Sequence, residues 1–172
     1  AIAHADAITT VSKKYALEIQ TAEFGFGLEN HIRAHSHKLV GILNGVDYEE
    51  WSPAVDKYLV QKYDVRKISG KKACKADVQK HFNLEIRDDV AVIGFVGRFA
   101  EQKGIGLIAG VLEGALDLDV QVIMLGTGEK WAEDFFRELA YRRPNFALHV
   151  GYSDELAHKI EAGSDMFLMP SI

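Results

Sequence analysis

Arg98 and Lys103 stand five residues apart in Gly97-Arg98-Phe99-Ala100-Glu101-Gln102-Lys103-Gly104, directly after the apolar run Val90–Val96. An arginine fork and a flexible lysine placed there can grip a diphosphate from two sides. The place matters because ligands of open α/β sheets sit at the carboxyl ends of strands, where the N-termini of the following helices also point. Gly97 is read as letting the backbone turn, and Gly104 as permitting a close approach at the helix start. By residue type alone, two solvated cations on a loop stand as the alternative.

Three other segments invite a chemical reading. Gly126-Thr127-Gly128 follows a second apolar run, but it lacks the Lys-Ser/Thr of a P-loop. It reads either as a tight turn at the sheet rim or as a ligand-contacting loop. Tyr152 follows a third run, at a strand tip, where a ring could stack on a base or pack under a loop. Gly104-Ile105-Gly106-Leu107-Ile108-Ala109 matches a dinucleotide fingerprint, yet it begins eight residues after its strand and has no ribose-binding acid at the next strand tip. That placement argues against NAD. His31, His35 and His37 lack a paired metal-ligand spacing and read as surface histidines, so no metal site is expected. Cys74, the single cysteine, is expected to pack on a helix, and no disulfide can form within the chain.

The elements that must position these residues are clearest in the second half. Val90–Val96, Val120–Leu125, Phe146–Val150 and Met166–Met169 are short apolar runs suited to strands of a parallel sheet. Between them Ile105, Ile108, Val111, Leu112, Ala115 and Leu116 recur at helical spacing, as do Trp131, Phe135 and Leu139, and then Leu156 and Ile160 with Asp154 as N-cap. Strands alternating with helices predict a doubly wound α/β sheet, here an incomplete Rossmann-like one. In the first half, residues 7–11 read as a buried strand and Ser12 as the N-cap of a helix over 13–19. Residues 21–41 read as loop and short helix, and 54–63 and 72–83 as helices joined by a polar loop around Ser69–Lys72.

The 172 residues suffice for one domain and some extra. With 48% hydrophobic and 26% charged residues a sizeable core is possible, and a net charge of −5 argues against a general nucleic-acid or membrane-surface binder. No apolar run reaches membrane-spanning length. The absence of Met at the start and the abrupt stop after a strand-like run give the expectation of a piece of a longer protein.

Together these segments resemble the bacterial glycogen synthase and plant starch synthase family. Ala5-Asp6-Ala7-Ile8-Thr9-Thr10-Val11-Ser12 is similar to the family's AD-x-ITTVS strand. Gly41-Ile42-Leu43-Asn44-Gly45-Val46-Asp47 with Trp51-Ser52-Pro53 resembles its interdomain segment. Arg87-Asp88-Asp89-Val90, Ile93–Arg98 and Gln102-Lys103-Gly104, then Met124–Gly128, Ala162–Asp165 and Leu168–Ser171 follow in the family's order. The resemblance implies a GT-B architecture. Residues 1–43 would end the N-terminal, acceptor-side domain, 44–85 would form the crossover, and 86–172 the first half of the nucleotide-sugar-binding domain. It implies transfer of glucose from ADP-glucose, with retention, to the non-reducing end of an α-1,4-glucan, without metal or other cofactor. Arg98 and Lys103 would then be the catalytic phosphate-binding pair. Tyr152 would lie against the adenine, Asn44 would face the sugar, and Gly126, Thr127 and Gly128 would line the nucleotide pocket. The family's K-x-GGL and E-x-CGL segments are absent, so the chain by itself is expected to be inactive. Phe99-Ala100-Glu101 replaces a more usual Leu-x-x with the Arg-to-Lys spacing kept. Location would be cytoplasmic for a bacterial source and plastid for a plant or alga, and oligomeric state is left open. Two rival readings are a GT-B transferase using UDP- or GDP-sugars, and a non-catalytic nucleotide-binding module.

Overall fold

The structure is a computed structural model that describes residues 2–172. The chain divides into two compact units, Ala1–Asp47 and Tyr48–Ile172.

In the first unit, β1 (Ile8–Thr10) and β2 (Leu39–Gly41) pair in parallel, with Ile8 opposite Leu39. Between them run α1 (Lys13–Glu18) and α2 (Glu29–Ala34). Ser12 caps α1 as expected, its hydroxyl accepting the Tyr15 N–H at 2.8 Å. The strand β2 was not expected. Three residues carry too little alternation to be read, and the strand exists because β1 supplies a ladder from thirty residues away. Nor is β1 buried: Thr9 is exposed and its neighbours half-buried.

The second unit is a four-stranded, all-parallel sheet in the order β5-β4-β3-β6. Its strands are β3 (Ala91–Val96), β4 (Val120–Gly126), β5 (Phe146–Val150) and the short β6 (Met166–Phe167). Alternation along β4 divides the core. Val122 and Met124 face α4 (Ile105–Ala115) and α5 (Lys130–Arg142), with Phe95, Phe99, Ile108, Leu112, Phe136 and Leu139. Ile123 and Leu125 face the other way, toward Val78 of α3 (Gly70–His81) and Leu156, Ala157 and Ile160 of α6 (Asp154–Gly163). Helices on both faces make the sheet doubly wound, as expected. Cys74 is buried on α3 beside Leu59 and Ala162, and burial pushes its thiol pKa up. Among the described residues no helix is long and apolar enough to cross a membrane.

Several local expectations change. The helix expected over 54–63 is a series of turns, fastened to α6 by tertiary contacts. His158 and Asp56, both buried, meet Nδ1 to Oδ2 at 2.6 Å. Trp51 stacks on the imidazole at 3.8 Å, and the Tyr63 hydroxyl donates to the Ala162 carbonyl at 3.2 Å. Asp56 also accepts the Tyr58 N–H, a local bond that competes with helix formation. The loop around Ser69–Lys72 is instead the start of α3, where a Cβ on Gly70 would lie 2.4 Å from the Lys62 carbonyl oxygen. On α5 the buried stripe is Ala132, Phe136 and Leu139, while Trp131 is exposed. On α4, Val111 faces outward. Ser153, not Asp154, caps α6, accepting the Leu156 N–H at 3.3 Å.

Candidate functional site

The carboxyl ends of β3, β4 and β5 are knitted together by backbone hydrogen bonds. Beyond the strands proper, the Gly97 N–H donates to the Leu125 carbonyl at 3.0 Å, Phe99 to Thr127 at 2.9 Å, and Glu129 back to Phe99 at 2.8 Å. Gly151 donates to the Gly126 carbonyl at 2.9 Å. Gly126 is the hub: a Cβ there would stand 1.9 Å from the Gly97 oxygen, and one on Gly128 would stand 2.3 Å from the Phe99 oxygen. Two loops can run this close only where the side chains are missing. Gly97, expected to be the turning residue, needs no special backbone conformation and has only the Phe95 ring near its Cβ position. Gly104 does need one, with φ +68°, and a Cβ there would come 2.2 Å from the Pro170 oxygen.

Above this knot lies a pocket of about 210 Å³. It is lined from β3 by Val96, Gly97 and Arg98, from β4 by Leu125, Gly126 and Thr127, and from the start of α6 by Gly151, Tyr152, Ser153 and Ala157. The lining is mostly apolar. The structure therefore brings Arg98, Gly126, Thr127 and Tyr152 together. Gly128 and Lys103 do not line it. Lys103 ends a 3-10 turn, Glu101–Lys103, that leads from the Arg98 loop into α4. Asn44 is exposed and belongs to the first unit.

Tyr152 is 83% exposed, so it does not pack under a loop. Its hydroxyl is held by the Asp154 carboxylate, which raises the phenol pKa. The ring thus borders the pocket with most of its surface accessible. Arg98 is exposed, with one long contact of 3.4 Å to the Gln102 side chain. A guanidinium held so loosely keeps its fork free for an anion. His35 places Nδ1 at 2.8 Å from the His31 carbonyl on α2, and no group of three metal-ligating side chains occurs among the described residues.

Sequence reasoning missed the acidic residues behind the loops. The Glu133 carboxylate accepts from the Thr127 hydroxyl at 2.7 Å and the Gly128 N–H at 3.1 Å, and Glu129 accepts from the Glu101 N–H at 3.1 Å. The bond from Thr127, and then that from Gly128, lower the Glu133 pKa. An acid in the first turn of α5 was the available signal, but it signals a helix start as readily as a loop contact.

Comparison with known proteins finds similarity along nearly the whole chain. A family model described as the starch synthase catalytic domain matches residues 1–34. The chain is 52% identical to glycogen synthase 1 of Geobacter sulfurreducens over 169 residues, covering 98% of this chain and 34% of that protein. It is 49% identical to the glycogen synthase of Koribacter versatilis over 172 residues, covering 99% and 35%. Among solved structures it matches the catalytic domain of starch synthase IV from Arabidopsis thaliana, bound to ADP and acarbose, with a TM-score of 0.93 and 33% identity, over 99% of this chain and 36% of that one. A glycosyltransferase from Rickettsia africae, at 17% identity and a TM-score of 0.60, shares the fold. The chain spans about a third of the length of the relatives it matches. A parallel α/β fold and similarity over nearly every residue lead to one statement: along nearly its whole length the chain is similar to about a third of the glycogen synthases and of a starch synthase catalytic domain.

Proposed function

We propose that the chain carries the nucleotide-holding part of a retaining glucosyltransferase that moves glucose from ADP-glucose to the non-reducing end of an α-1,4-glucan. The observation that carries the proposal is the convergence of Arg98, Gly126, Thr127 and Tyr152 on one pocket at the carboxyl ends of three parallel strands. The apolar slot of that pocket suits a base, with Tyr152 bordering it. Arg98, with Lys103 one turn further on, suits the diphosphate. As the bond from the sugar C1 to the diphosphate oxygen breaks, the electron pair leaves with the diphosphate and negative charge grows there. Fixed cations stabilise that charge more in the transition state than in the bound sugar nucleotide, which is what accelerates the step. Asn44 would serve the sugar side of the cleft. The domain division 1–43, 44–85 and 86–172 belongs to the same reading, as does a cytoplasmic location in a bacterial source. The rest of the sugar and acceptor machinery would lie in the two thirds of the relatives that this chain does not span.

Isothermal titration of the chain with ADP, UDP, GDP and NAD tests the reading. ADP should bind best. Arg98→Ala and Lys103→Ala should each weaken it by about tenfold, the typical loss of about 1.4 kcal/mol for one charge-assisted contact. Preference for UDP or GDP, or affinity indifferent to both substitutions, would overturn it.

A further inference from the structure

Glu129 and Glu133 present a physical puzzle. Neither carboxylate lines the pocket, yet both bond to loops that border it, where negative charge would oppose an anion. Glu129 occupies the N-cap of α5, yet its side chain does not cap that helix. It turns instead to the Glu101 N–H at 3.1 Å and to the Trp131 indole N–H. Glu133 likewise turns back from the first turn of α5. One of its oxygens takes both the Thr127 hydroxyl and the Gly128 N–H, and its other oxygen lies 3.5 Å from Arg137. Its side chain is only 17% exposed. Each carboxylate therefore holds a different loop. Glu129 holds the 3-10 turn that ends in Lys103, and Glu133 holds the strand-end loop that lines the pocket.

We infer that Glu129 and Glu133 are positioning residues for diphosphate recognition, fixing the Lys103 turn and the Thr127–Gly128 loop from behind the pocket. This rests on the proposed nucleotide reading, and it adds two residues that contact neither base nor phosphate. The required property is the acceptor oxygen and not the charge. A glutamine keeps one acceptor oxygen, which serves both loop donors at position 133 and the Glu101 N–H at position 129, where only the bond from the Trp131 indole is given up, so the Gln variants should hold the loops. They should also remove a repulsion from the diphosphate.

The test uses the 172-residue chain carrying Glu129→Ala, Glu129→Gln, Glu133→Ala or Glu133→Gln, each compared for binding of ADP and of adenosine. The Ala variants should lose about five- to tenfold in ADP affinity and less than about twofold for adenosine. The Gln variants should match or exceed the unsubstituted chain for ADP. If Arg98→Ala weakens ADP while both Ala variants bind it unchanged, the positioning inference fails and the nucleotide reading stands. Equal losses in the Ala and Gln variants would also overturn it, because charge would then be the operative property. Amide hydrogen exchange at Glu101 and Gly128 provides a readout independent of nucleotide. It should quicken in the respective Ala variant and not in the Gln variant, whether or not ADP binds. Exchange unchanged in all four variants would overturn the inference.

Discussion

A single missing methyl group decides whether the pocket can form. At Gly126 a Cβ would fall 1.9 Å from the Gly97 oxygen, which is backbone and cannot swing aside. Gly126→Ala should therefore push apart the loops that carry Arg98 and Thr127, costing about 1–3 kcal/mol as overpacking does. The control is Gly110→Ala on the outer side of α4, where nothing lies within 4 Å of the added Cβ. That change should stabilise the chain by about 0.5–1 kcal/mol through helix propensity. Urea denaturation of the two variants checks both signs, and destabilisation by both or by neither would contradict the steric account. The residue scale is also where sequence reading was least sure. Arg98, Thr127 and Tyr152 were visible as chemistry at strand tips. That the fold needs Gly126 and Gly128 was not visible, because their close approach depends on the other loop. Gly104 was read as a close approach and is one, whereas Gly97 looked like the turning residue and the further steric demand falls on Gly126 and Gly128. Tyr152 looked equally suited to packing until the structure showed it exposed.

Among elements, the start of β3 and the entry to β6 are joined by one carboxylate. Asp165 accepts the Val92 N–H at 2.8 Å and pairs with the buried Lys75 ammonium, also at 2.8 Å. Lys75 in turn donates to the Asp88 and Val90 carbonyls, so α3, β3 and the end of α6 meet at this point. Burial works to raise the Asp165 pKa, but the bonds from Lys75 and Val92 outweigh it and the net shift is downward. A carboxylate depressed in the folded state binds its proton more weakly there than when unfolded. Its stabilisation is present above the unfolded pKa of about 3.9 and is lost as pH falls through the lower folded value. Thermal unfolding followed from pH 7 to pH 3 should show Tm falling in the acid range. Asp165→Asn should lower Tm at pH 7 and flatten that fall in part, since Glu133 and Asp89 are depressed as well. An undiminished acid dependence in the variant would contradict this role. The four strands and the four helices around them were legible in the sequence, because strands covered on both faces are written as nearly unbroken apolar runs, although the run at Met166–Met169 gives only the two-residue β6, both of whose residues are exposed. The helix expected over 54–63 failed for a physical reason: its residues are claimed by partners on α6, with His158 lying 102 positions from Asp56. The stripe on α5 was misread because Trp131 and Phe136 are both large and apolar, and only the sheet selects which faces inward.

For the whole molecule, a parallel sheet with helices on both faces makes one rim of strand ends the natural ligand site, and both the chemistry and the pocket converge there. The resemblance to glycogen and starch synthases could be read from ordered segments spread over nearly the whole chain, and the similarity to glycogen synthases over 98–99% of its length agrees. What the sequence could not convey was which of those segments meet. Arg98, Thr127 and Tyr152 gather from three strand ends, while Asn44 belongs to the other unit. A second pocket, formed by Trp51, Pro53, Asp56, Tyr63, His158 and Glu161, has a more polar lining and serves as the internal comparison. The most direct measurement is a map of where ADP sits, by chemical-shift perturbation of the backbone amides during titration. Shifts should concentrate on Gly97, Arg98, Gly126, Thr127 and Gly151–Ser153, and the set should shrink in Arg98→Ala. Shifts centred on Trp51 and His158, or spread with no focus at the strand ends, would contradict the account.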